Sequence, residues 1–362
     1  MNRTSLAGIL RIARCAAWLS AVSVVAVTAG CLSSPKWPPG PVGLGFEAYA
    51  PALQALAPPG AETRRLTDGE PLYPPPIAES ERPILFAELA AARVAHEHDP
   101  SDAGALITFG RRLGYVGRFR DAVTVFTRGC DQFADDARMW RFRGHRWITL
   151  RQFDAAVDDL QRAEELIAGQ PDQKEPSLTP NARGIDLDTL HENVHYHLAL
   201  AHYLRGEFDE AAAAWARCLA VAPNADGIAM ACYWRAMALA RAGRPDGEVA
   251  AALKRVTADM DIVEYHSYHQ LALVWKGERD GDELLAATSP DGAAIDFATI
   301  GYGVGNWHWW KGDRARALEI WRQVEAGPPW HAFGHIAAEV ELARQPAWLR
   351  ASWGHATMPP GR

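Results

Sequence analysis

Residues 102–126 read DAGALITFGRRLGYVGRFRDAVTVF, and residues 136–160 read DARMWRFRGHRWITLRQFDAAVDDL. The two stretches carry one pattern at a spacing of 34 residues. The positions that match are Gly110 and Gly144, Gly117 and Arg151, Phe119 and Phe153, Ala122 and Ala156, and Phe126 and Leu160. Two helix axes approach to about 8–10 Å only where the side chains between them are small. The pattern therefore predicts paired helices that touch at glycine and alanine.

This repeat resembles the tetratricopeptide (TPR) repeat, a helix-turn-helix unit of about 34 residues. The resemblance implies an all-α fold, a right-handed α-solenoid of TPR-like repeats that stack in sequence order. The repeat domain is predicted to span residues 81–350, with a C-terminal tail at 351–362. Within it we expect clear units at about 103–136, 137–170, 192–225 and 298–327, and degenerate units in between.

Two segments of this domain depart from the repeat. Residues 170–187 contain three prolines and Gly184 without any periodicity, so they predict a loop inserted between two repeats. The closing segment from Trp330 to Arg344 predicts a helix with a mixed apolar and charged face. Such a face suits a C-terminal cap that keeps its polar side in water.

The N-terminus has the order of an export signal. Three arginines precede an apolar run at 16–29, which is too short to span a bilayer as a permanent helix. The run ends in VTAGC, which resembles the bacterial lipobox. Residues 1–30 are therefore predicted to be a lipoprotein signal peptide, and Cys31 the acylated residue. Leu32 after the cysteine implies an outer-membrane lipoprotein that faces the periplasm; an ordinary signal peptide would instead give a soluble periplasmic or secreted protein.

A proline-rich linker follows the predicted signal peptide. Residues 31–80 are rich in proline, which removes amide donors and blocks helices, so they predict a semi-rigid tether between the anchor and the repeats.

The chain has 37 Lys and Arg against 44 Asp and Glu, a net charge of −7. Proteins that bind nucleic acids need a basic face, so this balance argues against such a partner.

The resemblance to TPR proteins also implies a binding surface. In that family, fixed positions of each first helix line a concave groove. In this chain those positions include Arg111, Arg141, His145, His197, Tyr302 and Asn306. The forked donors of arginine suit carboxylates and phosphates, so we predict a scaffold or adaptor whose partner is a protein segment with acidic groups. The alternative is that Arg141, Arg143, Arg146 and Arg151 form a solvated face or pair locally with Asp154, Asp158 and Asp159.

A second hypothesis is an enzyme or a small-molecule binder with a pocket inside a tightly wound solenoid. His197, Glu264 and His269 would be central to such a pocket, because histidine and glutamate can act together as acid and base. The sequence also leaves open whether Cys218 and Cys232, which stacked repeats could bring together, form a disulfide.

A metal site is the third possibility. Residues 191–195 read HENVH and match the HExxH pattern of zinc proteases, which makes His191 and His195 candidate ligands. The same residues begin a repeat helix, and the register of that helix explains them without a metal. We therefore predict neither a metal nor a cofactor.

Overall fold

The computed structural model describes residues 57–288, 294–347 and 350, which all belong to one compact unit. The predicted signal peptide, Cys31, the first part of the linker and the C-terminal tail lie outside these residues. Within the described part, no helix combines the length and the apolar run that crossing a bilayer requires.

Fourteen helices and two short strands follow one another in the described residues. The strands are β1 (Thr63–Arg64) and β2 (Pro71–Leu72), which pair antiparallel. The helices are α1 (Arg82–His98), α2 (Ala103–Tyr115), α3 (Phe119–Gln132), α4 (Ala137–Thr149), α5 (Phe153–Ile167), α6 (Leu190–Arg205), α7 (Phe208–Val221), α8 (Ala225–Arg241), α9 (Asp246–Ala252), α10 (His266–Lys276), α11 (Gly281–Ala286), α12 (Ala294–Trp310), α13 (Arg314–Glu325) and α14 (Phe333–Ala343).

The repeats begin and pair as the sequence pattern predicts. Asp102 and Asp136 start α2 and α4 at equivalent positions, because each side chain accepts hydrogen bonds from the first free amides of its helix. At the helix contact of the second unit, a Cβ on Gly144 would lie 2.6 Å from Leu160 Cγ, closer than any side chain tolerates. The first helices of the first three units, α2, α4 and α6, also contact one another in turn. We call the surface that they form the first-helix face. The predicted helical solenoid is confirmed.

Residues 57–80, the second half of the predicted semi-rigid linker, contact the repeats. The Thr63 hydroxyl donates to the Leu150 carbonyl at 2.9 Å, and the Leu66 amide donates to the Glu339 carboxylate at 2.6 Å. This half of the predicted linker therefore packs on the repeats, because polar groups far apart in sequence satisfy its backbone. Its proline content prevents a helix but permits this short hairpin.

The last helix, α14, lies inside the molecule. Glu339 and Glu341 are 0% and 1% exposed, so the prediction of a cap with a water-facing polar side is wrong. Glu339 pairs with Arg151 at 2.6 Å, and Glu341 pairs with Arg241 at 2.8 Å. The charged side of α14 faces arginines of earlier repeats, and no local sequence pattern carries that information.

The cysteines inside the repeats are free thiols. Cys218 and Cys232 are both buried and unbonded to each other, which answers the question of a disulfide between them. Burial raises the pKa of the Cys232 thiol to about 11 and raises that of Cys218 well above its usual value. Both side chains are therefore protonated, packed groups at neutral pH.

Candidate functional site

A pocket of about 190 Å³ opens on the N-terminal half of the first-helix face. Residues of α2, α3 and α4 and of the inserted loop line this pocket, and the exposed Glu264 lies at its rim. The lining residues are Gly110, Arg111, Tyr115, Phe126, Arg141, Phe142, His145, Arg146, Glu175, Ser177, Ile185, Leu187, Asp188 and Glu264. Three arginines therefore line one small cavity together with three aromatic side chains.

Arg141 is paired with a carboxylate of the inserted loop. Its Nη2 lies 2.9 Å from Glu175 Oε2, and the two side chains are 7% and 8% exposed. The same carboxylate oxygen accepts a hydrogen bond of 2.7 Å from Asn193 Nδ2 on α6. Burial raises the pKa of Glu175 and lowers that of Arg141, and the attraction between them opposes both shifts. A pair of this kind depends on both partners, because either charge alone would be left buried.

Two further arginines hold the backbone of that loop. Arg111 Nη1 donates to the Pro176 carbonyl at 2.9 Å, and Arg112 Nη2 donates to the Leu178 carbonyl at 3.3 Å. Arg112 also forms an ion pair with Glu88, so its charge is matched elsewhere. The loop is thus ordered by side chains of α2, as well as by Arg141.

Arg146 has no carboxylate partner in the described part of the chain. Its Nη2 hydrogen-bonds the ring nitrogen Nε2 of His145, and its guanidinium lies 5.5 Å from the ring centre of Phe119. Burial lowers the pKa of Arg146 to about 9, and the neighbouring Arg141 and Arg111 add to this effect. The group is half-buried, charged at neutral pH and short of a counter-ion, which is the state of a prepared anion site.

Neutral aromatic rings stand beside this cation. The ring centres of His145 and His197 are 4.5 Å apart, and Phe333 of α14 packs at 5.1 Å from the first and 5.8 Å from the second. Burial lowers the pKa of both histidines well below the usual value, and the nearby Arg146 and Arg141 lower it further. Both rings are therefore neutral at neutral pH, and they shape the site without adding charge.

The structure divides the predicted groove residues into two places. Arg111, Arg141 and His145 line the pocket, and His197 packs against His145 beside it. Tyr302 and Asn306 are 1% and 0% exposed and lie away from the pocket. The Tyr302 hydroxyl donates to the Tyr203 hydroxyl at 2.7 Å, and the amide of Asn306 donates to the same oxygen at 2.6 Å. That network fills the core between α6 and α12.

The residues of the second hypothesis are also separated. Glu264 is exposed at the rim of the pocket, whereas His269 is buried and its Nε2 bonds the Thr257 carbonyl at 2.8 Å. The two side chains therefore do not form one acid-base pair. The exposed Glu264 remains available to a ligand in the pocket.

The HENVH sequence serves the fold at the start of α6. His195 Nδ1 bonds Glu164 at 2.9 Å, and the Glu192 side chain is 2% exposed against Gly227. Burial raises the pKa of Glu192 to about 8, so this carboxyl is largely protonated at neutral pH. Over the described residues, no three His, Cys, Asp or Glu side chains are grouped so as to hold a metal ion.

Sequence reasoning missed Arg146 and Glu175 as site residues. Arg146 occupies the position after His145 and is one residue out of the groove register. Glu175 lies in the aperiodic insertion, where no register exists. The one signal in the sequence is the composition of the insertion, because long loops inside repeat arrays are often functional.

Comparison with known proteins agrees with this architecture. Family models of the tetratricopeptide repeat match residues 107–171 and 192–225. The chain is similar to YrrB, a TPR protein with an unusual peptide-binding site, at 16% identity and a TM-score of 0.38, over 69% of this chain and 98% of that chain. It is also similar to a tetratricopeptide repeat protein from Parabacteroides merdae, at 12% identity and a TM-score of 0.43, over 74% of this chain and 94% of that chain. MamA gives 18% identity and a TM-score of 0.36, over 56% of this chain and 90% of that chain.

These structural likenesses are distant and say nothing of ligand or partner. The search among curated proteins found no match. The two segments that the family models match correspond to α2–α5 and to α6–α7, and the first of them contains the helices that line the pocket. The chain therefore contains tetratricopeptide repeats at residues 107–171 and 192–225.

Proposed function

We propose that this protein is an exported, membrane-anchored scaffold that binds a carboxylate-bearing protein segment in the arginine pocket. The observation that carries the proposal is Arg146, a cation on the pocket wall without an ion pair among the described residues. Arg111 and Arg141 line the same cavity, and of the three only Arg141 has a carboxylate partner there. A carboxylate from outside would reverse the depression of the pKa of Arg146 and gain charge-assisted hydrogen bonds.

A protein segment is the partner that this fold suits. Stacked TPR units present an extended surface along their first helices, and the family generally uses that surface to bind protein partners. Here the inserted loop covers part of that surface, and a pocket of about 190 Å³ remains open. This volume fits one or two side chains, and the rest of the segment would run along the rim past Glu264.

Export and anchoring rest on the N-terminal sequence. The arginines before the apolar run, the VTAGC ending and Leu32 together favour an outer-membrane lipoprotein anchored through Cys31. The repeats would then face the periplasm, with the remainder of the proline-rich linker between them and the bilayer.

The binding claim is tested by selection from a random peptide library. Three baits are used, and each is the exported chain carrying Cys31→Ser. The first has no other change, the second also carries Arg146→Gln, and the third carries Arg162→Gln as the control. Arg162 is 41% exposed and pairs with Glu165 on the opposite side of its repeat. We expect acidic peptides from the unchanged and control chains, with about 10- to 100-fold weaker binding to Arg146→Gln. A selection without acidic peptides, or one insensitive to Arg146, contradicts the proposal.

A second candidate is a small carboxylate-bearing molecule. The small volume of the pocket and the inserted loop that lines it favour this candidate, because a small cavity suits a compact ligand better than a long chain. Native mass spectrometry of the exported chain with Cys31→Ser separates the two candidates. A stoichiometric added mass that disappears in Arg146→Gln would support the small molecule, and the bare chain mass would support the scaffold.

A further inference from the structure

The inserted loop lays a short piece of this chain across the binding face. The carboxylate of Glu175 lies on Arg141 at 2.9 Å and accepts from Asn193 at 2.7 Å. These two partners come from α4 and α6, the first helices of consecutive repeats. They occupy the positions at which a TPR protein would meet a bound segment.

Side chains of α2 also bind the loop backbone next to that carboxylate. The carbonyls of Pro176 and Leu178 accept hydrogen bonds from Arg111 and Arg112, both on α2. Alternate carbonyls of an extended chain point to the same side, which explains the spacing of two residues. One acidic side chain and two main-chain oxygens are thus recognised by side chains of three first helices.

We propose that residues 174–178, KEPSL, occupy the place of the partner, and that the partner is an extended segment with a glutamate followed by proline, which displaces them. This inference rests on the proposed function and names the partner class for the same site. The partner's glutamate would take the position of Glu175 on Arg141, and a further acidic group would reach Arg146.

Proline after the glutamate has a physical role. It restricts the preceding residue to extended conformations, so the segment arrives close to its bound shape and loses little entropy. Displacement of Glu175 alone would leave Arg141 buried without a counter-ion, which is strongly unfavourable. Replacement by a second carboxylate keeps the ion pair with Arg141 intact. A segment with a carboxylate can therefore displace the loop, whereas a neutral segment cannot.

The far side of the loop is held weakly enough to open. Arg183 pairs with Asp261 at 2.6 Å, but the two side chains are 48% and 74% exposed. Exposed ion pairs contribute at most about 1 kcal/mol. A tethered competitor of this type acts at an effective concentration in the millimolar range, so the intact loop should weaken every external competitor.

The test uses a fluorescent peptide with the sequence of residues 172–180, DQKEPSLTP, added to the exported chain carrying Cys31→Ser. The variant Glu175→Ala removes the tethered carboxylate, and Glu165→Ala, at an exposed glutamate, is the matched control. We expect the peptide to bind Glu175→Ala at least about tenfold more tightly than the unchanged or control chain. A peptide in which glutamine replaces the glutamate should lose this binding. Equal binding to all chains, or equal binding of the glutamine peptide, overturns the inference.

A second measurement does not depend on the variant folding. Amide hydrogen exchange is recorded for the chain that keeps Glu175, both with and without the loop peptide at millimolar concentration. The amides of Ser177 and Thr179 are bonded inside the loop, to Asp186 and to the Ser177 hydroxyl. Faster exchange at both amides in the presence of the peptide supports displacement, and unchanged exchange contradicts it.

The two proposals fail in different ways. If the library selection yields peptides that depend on Arg146 but lack a Glu-Pro pair, the partner class inferred here is wrong and the scaffold function stands. If the selection yields no peptide while the loop peptide binds Glu175→Ala as expected, the face recognises its own loop and the proposed function is wrong.

Discussion

Arg151 and Glu339, which are 188 residues apart in sequence, form an ion pair whose side chains are 1% and 0% exposed. The pair joins the turn of the second repeat to the last helix, α14. Arg151 also donates to the carbonyls of Thr149 and Trp330. The end of the solenoid is thereby fixed against its second unit, and Phe333 of α14 packs beside His145.

Removal of Arg151 should destabilise the protein strongly. We expect Arg151→Ala to lower the free energy of unfolding by about 3–5 kcal/mol, because Glu339 is left buried and unpaired. Arg151 has a φ of 63° at the place where the neighbouring repeats have Gly117 and Gly206, so Arg151→Gly should recover about 1 kcal/mol of that loss. Urea unfolding measures both changes.

The control for that experiment is Arg118→Ala. Arg118 pairs with Asp121, and these side chains are 47% and 51% exposed. Its loss should therefore lower the free energy of unfolding by less than about 1 kcal/mol. If Arg151→Ala is as mild as Arg118→Ala, the buried pair does not hold the two ends together.

The glycine at the helix contact of the second unit should not tolerate a methyl group. The Cβ of Gly144→Ala would lie 2.6 Å from Leu160 Cγ, so the helices must shift, and we expect a loss of about 1–3 kcal/mol. The matched variant is Gly247→Ala in α9, where a Cβ meets no atom within 4 Å. There alanine should be neutral or should stabilise by up to about 1 kcal/mol. Thermal unfolding that ranks these two variants in the opposite order would argue against the close contact.

The stability of the protein should fall in mild acid, partly because of His335. Burial, with Arg151 nearby, lowers the pKa of this histidine to about 3, whereas the unfolded chain takes up its proton near pH 6.5. Below pH 6.5 the unfolded state therefore binds more protons than the folded state, and stability decreases as the pH falls. When the pH falls from 7 to 5, the free energy of unfolding of His335→Leu should decrease by about 2 kcal/mol less than that of the unchanged protein.

Urea unfolding at the two pH values checks this prediction. Gly247→Ala, which changes no titratable group, provides the control and should leave the difference between pH 7 and 5 as it is. An equal pH dependence in His335→Leu and in the unchanged protein would mean that this histidine does not contribute.

Acylation should depend on Cys31 alone. In cells labelled with palmitate, we expect the protein to carry the label and to sediment with the outer membrane. Cys31→Ser should abolish the label and release the protein into the soluble periplasmic fraction, because a protein without its acyl chains loses the anchor. Cys130→Ser, at a buried thiol, should keep the label. A label that persists in Cys31→Ser would contradict the lipoprotein prediction.

The parts of the molecule that could be predicted are those that local pattern determines. The spacing of Gly110 and Gly144 indicated the repeat, and the groove positions of Arg111, Arg141 and His145 on first helices explain why one pocket contains all three. The first inference needs only the periodicity of a helix, and the second follows from the resemblance to TPR proteins, whose like units stack.

The parts that could not be predicted depend on contacts between distant residues. Glu339 looked like the charged side of a cap, and only its pairing with Arg151 explains its burial. Tyr302 follows the groove register, yet its hydroxyl bonds Tyr203 inside the core, because the last repeats are closed by α14. Glu175 lies in a segment without periodicity, so nothing in the sequence places it on Arg141.

The most direct measurement is photo-crosslinking from inside the pocket in the cells that export the protein. Tyr115 is 40% exposed and lines the pocket, so benzoylphenylalanine at this position should capture whatever binds there. Tyr73, 54% exposed and outside the pocket, is the control position. We expect a protein adduct at position 115 and none at position 73. The adduct at position 115 should disappear with Arg146→Gln. An adduct that persists in Arg146→Gln, or the same adduct from both positions, would contradict the claim that the arginine pocket binds the partner.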